Sequence, residues 1–300
     1  MNGKKAPLFA SIFVSSALLA GCGSSASTNK ILYASHTENK DFTANVFNAT
    51  TSRVSDAEFE FANSNRDVNL QIDQVMAAVD EHPAAIVLIP VDGEALIPAV
   101  KKANNAGVPV IATNRDLNGG DFVMIKSDDK QAGQLQGEYM AQNLPPNAKI
   151  VYLMGESTQG SAQERFQGFK EACLDKRKDI TLLAKADASW SEAEAVKYAT
   201  LWMSLFPQID GVIAGNDTMA LGAMKTMLAA GRSGFLVSGV DAKGEAVEAI
   251  KKGTMHHSAK QNADKIGEQI AEAIQKGRAG NPQTGEVRVP FSSVTADTLK

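Results

Sequence analysis

The sequence predicts an α/β protein with two lobes, each built on a parallel sheet flanked by helices. From residue 31 onward, short apolar runs alternate with longer helical patterns, which is the order that parallel sheets with right-handed crossovers require. The runs lack polar alternation, as expected of strands covered on both faces. So many strands would be unusual in one twisted sheet, so two sheets are expected.

The predicted elements follow one another without a fixed-period repeat or a long linker. The predicted strands cover 31–34, 59–62, 85–89, 108–112, 150–154, 180–184, 211–214, 235–239 and 255–260. The predicted helices cover 71–80, 94–106, 131–143, 162–175, 192–206, 218–230, 245–251 and 263–275. A further apolar run at 122–125 precedes residues 126–130, which are the best position for a lobe boundary. Because no Gly/Ser linker marks that boundary, the chain is expected to cross tightly between the lobes, as hinge proteins do.

Composition excludes several classes of protein. At 300 residues with 44% hydrophobic content, the chain can bury a large core in one long domain or two lobes. A formal net charge of -4 with interspersed signs gives no basic stripe, so a nucleic-acid partner is not expected. No nucleotide-binding G-x-x-x-x-G-K-[ST] loop is present, and no cofactor is expected. Cys173 lies in an apolar helical pattern typical of a small core residue rather than a reactive thiol.

The first residues have the pattern of an export signal. Lys4 and Lys5 precede an apolar run over 8–20 that is shorter than the ~20 residues of a membrane-spanning helix. The tetrad Leu19-Ala20-Gly21-Cys22 resembles a bacterial lipoprotein signal, in which the cysteine is lipidated and becomes the first mature residue. We therefore expect a signal peptide over 1–21, a lipid anchor on Cys22, a flexible tether over 22–29 and an extracytoplasmic location at a membrane.

Polar and aromatic residues recur just after the predicted strands, where ligands bind in open α/β sheets. The strand over 211–214 ends at Asn216, which could either cap the following helix or contact a ligand. Other strand ends repeat the pattern, with Asn39, Asp41, Phe42, Asn114, Arg115, Trp190, Asp241 and Gln261. Singly these residues could be turn residues, surface charges or core residues. Jointly they suit a polyhydroxylated ring. Aromatic side chains cover the C–H faces of such a ring, and amides, carboxylates and guanidinium groups bind its hydroxyls.

The chain from about residue 31 resembles the sugar-binding proteins of bacterial ABC importers, of the ribose- and galactose-binding type. The motifs that carry the resemblance are Asn39-x-Asp41-Phe42, Pro109-Val-Ile-Ala-Thr-Asn-Arg115, Arg165-x-x-Gly168-Phe169, Asn216-Asp217-x-Met219-Ala220-Leu221-Gly222, Gly239-Val-Asp241 and Gln261. Their order and spacing are more specific than any one of them. The resemblance implies two Rossmann-like lobes joined by a three-strand hinge, the type I periplasmic binding protein fold.

The resemblance also implies roles for individual residues. Phe42 and Trp190 would sandwich the sugar ring, and its hydroxyls would bind Asn39, Asn114, Arg115, Arg165, Asn216, Asp241 and Gln261. Crossings near 127–128, 261–262 and 290 would divide the chain into an N-terminal lobe, 30–127 and 262–289, and a C-terminal lobe, 128–261 and 290–300. The implied partners are a small sugar or cyclitol, a permease and its ATPase, for a monomeric binding protein.

Two departures from the ribose-binding pattern affect the expected ligand. Asn114 stands where ribose-binding members commonly have Asp, and Asp41 stands where they have a second Phe. The Asp41-Phe42 pair is closer to glucose/galactose and inositol binders. The formal charges of Arg115 and Arg165 would be cancelled by Asp41 and Asp241, so a neutral ring is expected, a pyranose or inositol rather than ribose.

Three other functions are compatible with an α/β fold of this kind. A hydrolase is disfavoured because Gly155-Glu156-Ser157 lacks the second glycine of a nucleophile elbow, with Gln159 in its place. Neither a catalytic histidine motif nor a metal site is predicted, and His256-His257 is interpreted as a strand pair. A transcription regulator's effector domain would follow a helix-turn-helix rather than an export signal. Chemotaxis or signalling by a sugar-sensing protein stays open, since it uses the same liganded form.

Overall fold

The computed structural model describes the backbone of residues 29–300 and, except for Asp41, their side chains. The predicted signal peptide and the lipidation site Cys22 lie outside the described residues. The strands are β1 Lys30–Ser35, β2 Glu58–Asn63, β3 Ala85–Leu88, β4 Val110–Thr113, β5 Val123–Ser127, β6 Lys149–Met154, β7 Thr181–Asp187, β8 Gly211–Ala214, β9 Leu236–Val240, β10 His257–Lys260, β11 Gly285–Val289 and β12 Ser292–Val294. The α-helices are α1 Asp41–Thr51, α2 Val68–Asp80, α3 Ile97–Asn105, α4 Asp129–Asn143, α5 Gly160–Phe169, α6 Glu192–Leu205, α7 Asp217–Ala229, α8 Gly244–Lys251 and α9 Ala263–Arg278, and a π-helical segment, Lys170–Leu174, continues α5.

The strands form two separate sheets, which confirms the predicted two-lobed α/β fold. The first sheet has the order β11-β5-β4-β3-β1-β2 and the second β12-β10-β9-β8-β6-β7. Every pair is parallel except β10 with β12. The chain therefore passes from the first sheet to the second after β5, returns after β10, and passes again after β11.

Apolar side chains explain why helices cover both faces of each sheet. In β1, Ile31 and Tyr33 pack with Ile270 of α9, whereas the alternate residues Leu32 and Ala34 join the core under α2 and α3. All of these side chains are almost fully buried. Because successive strand residues point to opposite faces, a strand that is apolar throughout requires a covering layer on each side.

Two helices of the second lobe, α4 and α5, approach each other closely through glycines. A Cβ atom at Gly133 of α4 would lie 1.9 Å from the carbonyl oxygen of Arg165, and one at Gly168 of α5 would lie 2.0 Å from that of Lys130. Any side chain at either position would therefore separate the helices. This close packing brings the first residue of α4, Asp129, next to the middle of α5.

The observed elements differ from the sequence prediction mainly at their ends. The strand predicted over 211–214 has the same bounds as β8. The helix predicted over 94–106 begins only at Ile97, because the Asp92 side chain accepts from the amides of Glu94 and Ala95 and holds a turn there. The two C-terminal strands β11 and β12 were not among the predicted strands. Among the helices of residues 29–300, none is long and apolar enough to cross a membrane.

Candidate functional site

The carboxyl ends of both sheets face a cavity of about 400 Å³ between the lobes. Eight of the predicted site residues line it, and they come from both lobes: Phe42, Asn114, Arg115, Arg165, Trp190, Asn216, Asp241 and Gln261. Asn39 is not among the lining residues, and the side chain of Asp41 is not described. A cavity of this size is typical of small-molecule sites.

Trp190 is held at the cavity wall by packing and by one hydrogen bond. The backbone of Trp190 has a φ of 60°, in the left-handed region that non-glycine residues seldom adopt. Its ring lies against Gly155, where a Cβ atom would be 2.1 Å from the indole. The indole Nε1 donates to Oε1 of Gln159 at 3.2 Å. The ring is therefore a fixed apolar surface in the cavity.

Arg165 reaches the cavity from α5 as half of a buried ion pair. Its Nε donates to Oδ1 of Asp129 at 2.8 Å, and its Nη1 donates to the carbonyl oxygen of Gly215 at 2.6 Å. The guanidinium carbon also lies 5.4 Å from the centroid of the Trp190 ring. Burial raises the pKa of Asp129, and the charge of Arg165 opposes that rise. The ion pair thus fixes where the guanidinium points.

A chain of hydrogen bonds joins Gln261 and Asp241 to the first lobe. Ser127, the last residue of β5, donates through Oγ to Oε1 of Gln261 at 2.9 Å, and Nε2 of Gln261 donates to Oδ1 of Asp241 at 2.6 Å. Burial raises the pKa of Asp241, against the charge of Arg165 and the hydrogen bond from Gln261. Ser127 and Gln261, at the start of two of the crossings, are therefore linked to a cavity carboxylate, Gln261 directly and Ser127 through Gln261.

Asn216 both caps a helix and lines the cavity. Its Oδ1 accepts from the amide of Met219 at 2.9 Å, which is an N-cap bond for α7. The two interpretations of this residue are therefore compatible.

The next residue, Asp217, is fully buried and accepts from Oγ of Ser258 at 2.7 Å. Burial, and then the negative charge of Asp241, raise the pKa of Asp217 well above its usual value.

Arg115 lies in a cluster at the edge of the cavity. Its Nη2 is 3.6 Å from Oε2 of Glu156, and Nη1 of Arg66 is 3.0 Å from Oε1 of the same carboxylate. Burial and the charges of Arg115 and Arg66 lower the pKa of the neighbouring His36 to about 3, so the imidazole is neutral at ordinary pH.

The loop between β1 and α1 carries two buried polar atoms that bond to nothing within the described part of the chain. They are Nδ1 of His36, which lines the cavity, and Oδ1 of Asn39. Buried polar atoms are normally paired, so atoms left without partners near a cavity are candidates for ligand or water contacts.

Sequence reasoning missed three charged or polar groups at this site: Asp129, Glu156 and His36. Asp129 was not selected because acidic residues are common in the first turn of a helix. Glu156 and His36 were not selected because polar residues are common in the turns that follow strands. A signal was available, because Glu156 and His36 follow predicted strands at the same edge as the residues that were selected.

A larger groove adjoins the cavity. It has a volume of about 730 Å³ and lies between α1 and the loops before α8 and α9. Phe42, Asp241, Lys243 and Gln261 line both spaces, so we treat the groove as the outer part of the interlobe cleft. Over residues 29–300, no group of three or more His, Cys, Asp or Glu residues could hold a metal ion.

Comparison with known proteins places the chain in a family. The family model described as "Periplasmic binding protein domain" matches residues 32–281. The chain therefore belongs to this family, whose members bind solutes and are not enzymes.

Individual relatives agree with this assignment. The xylitol-binding protein of Mycolicibacterium smegmatis is 34% identical over 233 residues, 76% of this chain. The ribose import binding protein RbsB of Salmonella typhimurium is 31% identical over 196 residues, 64% of this chain. Each match spans 66% of the relative's own length. A solved ABC transporter solute-binding protein of Bacillus halodurans C-125 with bound myo-inositol has a TM-score of 0.80 at 27% identity, over 91% of this chain and 96% of that one.

Proposed function

We propose that this protein is an extracytoplasmic solute-binding lipoprotein of an ABC importer, which captures a neutral monosaccharide or cyclic polyol between its lobes. It delivers that solute to a permease driven by an ATPase. The observation that carries the proposal is the cavity of about 400 Å³, in which eight of the predicted site residues from both lobes converge.

The charges around the cavity favour an uncharged ligand. Arg165 is 2.7 Å from a carboxylate oxygen of Asp129, Lys126 is 2.8 Å from one of Asp116, and Arg115 is 3.6 Å from one of Glu156. These cations already have carboxylates of the chain as partners. A neutral polyol can donate to carboxylates and accept from guanidinium groups without leaving a buried charge unpaired. Of the two carboxylates that the sequence assigned to cancel the arginines, Asp241 lines the cavity, and the side chain of Asp41 is not described.

The aromatic residues favour a ring. Trp190 is fixed at the wall, and Phe42 of α1 lines the same cavity from the first lobe. Aromatic faces cover the C–H surfaces of a sugar or cyclitol while polar neighbours bind its hydroxyls. One similar protein is named for xylitol, another is named for ribose, and the solved structure of a third contains bound myo-inositol. These solutes support a small neutral polyol as the ligand class.

The topology supports a hinge mechanism. Binding would favour the closed form, because Asn114 on one side and Trp190 and Asn216 on the other can contact one ligand together only when the lobes are closed. We assign 30–127 and 262–289 to the N-terminal lobe and 128–261 and 290–300 to the C-terminal lobe. The protein would act as a monomer, held at the membrane by acyl chains on Cys22.

A thermal-shift screen of neutral monosaccharides, cyclitols, sugar acids and amino acids tests the proposal. A ligand at about 100 times its Kd adds about 2.7 kcal/mol of stability. Trp190→Ala and Asp241→Ala should remove the response, whereas Leu205→Ala, at an exposed position of α6, should keep it. A response to sugar acids or amino acids alone, or wild-type responses in both cavity variants, would overturn the proposal.

A further inference from the structure

Glu156 follows β6 in the second lobe and contacts two arginines of the first lobe. Its carboxylate oxygens lie 3.0 Å from Nη1 of Arg66 and 3.6 Å from Nη2 of Arg115. All three residues line the cavity. A carboxylate of the chain therefore occupies the place where an acidic group of a ligand would meet these arginines.

We propose that Glu156 is a specificity-determining residue that makes this site reject anionic ligands such as sugar acids. The proposal rests on the function given above, and it states how that site distinguishes neutral from anionic solutes. Without Glu156, the two guanidinium groups would form a wall suited to a carboxylate, since arginine pairs with that group through two parallel hydrogen bonds.

The exposure of each group shows that the enclosed charges of this three-residue cluster balance. The side chains of Glu156 and Arg115 are 20% and 19% exposed, whereas that of Arg66 is 62% exposed. The charge of Arg66 is therefore largely solvated, and the enclosed pair consists of one cation and one anion. An incoming carboxylate would meet an occupied arginine and a like charge at close range, which costs affinity.

His36 does not provide a compensating positive charge. The imidazole lines the same cavity, and burial with the two neighbouring arginines holds its pKa at about 3. It is therefore a neutral donor and acceptor, which suits a hydroxyl group and gives no attraction to an anion.

Glu156 also supports the aromatic wall. Its Oε2 accepts from Nε2 of Gln159, and Oε1 of Gln159 accepts from the indole Nε1 of Trp190 at 3.2 Å. A glutamine at 156 keeps an oxygen that can accept from Gln159 while it removes the negative charge. Glu156→Gln therefore separates the charge of this residue from its positioning of Trp190.

Calorimetric titration with matched neutral and acidic probes tests the proposal: xylitol with D-xylonate, D-ribose with D-ribonate, and D-glucose with D-glucuronate. The wild-type protein should bind neutral probes and reject their acids. In Glu156→Gln, the preference for neutral over acidic probes should fall roughly 10- to 100-fold, mostly through gained acid binding. Arg115→Gln added to that variant should cancel the gain.

Glu171→Gln is the matched control, because it removes one carboxylate of the same lobe that pairs with Lys130 away from the cavity. It should leave the preference unchanged. Circular dichroism of the ligand-free variants checks folding, and Glu156→Ser replaces Glu156→Gln if the latter does not fold.

Each result decides between the two proposals. An unchanged preference in folded Glu156→Gln, or a wild-type protein that prefers acids, overturns the role of Glu156. If the wild-type protein binds no neutral probe but Glu156→Gln captures an acid, the neutral-ligand function fails and the role of Glu156 stands. If neither protein binds any probe, both fail.

Discussion

Arg165 and Asp129 form an ion pair that is almost excluded from solvent, with Nη2 and Oδ1 2.7 Å apart and both side chains 7% exposed. The pair links the first turn of α4 to the middle of α5 and holds a guanidinium at the cavity wall. Burying two charges is costly, and attraction repays the cost only when both partners are present.

Asp129→Ala should therefore lower the free energy of unfolding by about 3–5 kcal/mol, because it leaves the Arg165 charge buried without its partner. Replacing both residues, as Asp129→Leu with Arg165→Met, should recover most of that loss but not ligand binding. Glu194→Gln, which breaks an exposed pair with Lys197, should change stability little. Urea denaturation measures all three, and an Asp129→Ala protein as stable as wild type would contradict the account.

The protein should lose stability in acid because His257 is buried. The ring is fully buried between Oγ of Ser238 at 2.9 Å and Oγ of Ser293 at 3.0 Å, and burial lowers its pKa to about 4. The unfolded chain binds the proton near pH 6.5, so stability is present above that pH and is lost as the pH falls toward 4.

Protonation linked to His257 should lower the free energy of unfolding by about 2 kcal/mol between pH 7 and pH 5. His257→Asn should be less stable at pH 7 but should show a correspondingly smaller loss on acidification. Unfolding measured at a series of pH values distinguishes these outcomes, and an unchanged slope in His257→Asn would exclude this histidine as the cause.

The lipid anchor remains a prediction from the sequence alone. If Cys22 carries it, Cys22→Ala should leave unprocessed precursor and abolish metabolic labelling with a radioactive fatty acid, since a single cysteine provides the attachment point. Cys173→Ala removes the other, buried cysteine and should keep the label. Labelling that persists in Cys22→Ala would contradict the anchor.

Secondary structure could be predicted from the sequence where an element is buried in the core, because burial requires apolar residues throughout. All four residues of β8 are buried, so an unbroken apolar run marked its bounds. In β11 only Val289 is buried, and exposed Glu286 and Arg288 interrupt the pattern, because an edge strand needs less cover. That strand carried no apolar signal.

The site was predictable only in part, for a related physical reason. Residues that end strands, such as Asn114, Asn216 and Asp241, can be found because parallel strands bring their carboxyl ends together. Asp129 and Glu156 matter because they contact arginines 36 and 41 positions away in the chain. No local pattern records such pairings, and they depend on how α4 meets α5 and how the lobes meet.

The most direct test of ligand binding in the cavity uses tryptophan fluorescence, since the chain has two tryptophans. Trp202 is buried beside Tyr198 in the core of the second lobe, so Trp202→Phe leaves Trp190 as the sole reporter. Titration with a neutral polyol identified by the thermal-shift screen should change its emission saturably, because the ring gains a stacked neighbour. Trp190→Phe, which retains Trp202, should give no such change. Calorimetric binding without any change in Trp190 emission, or an equal change in Trp190→Phe, would contradict a ligand site between the lobes.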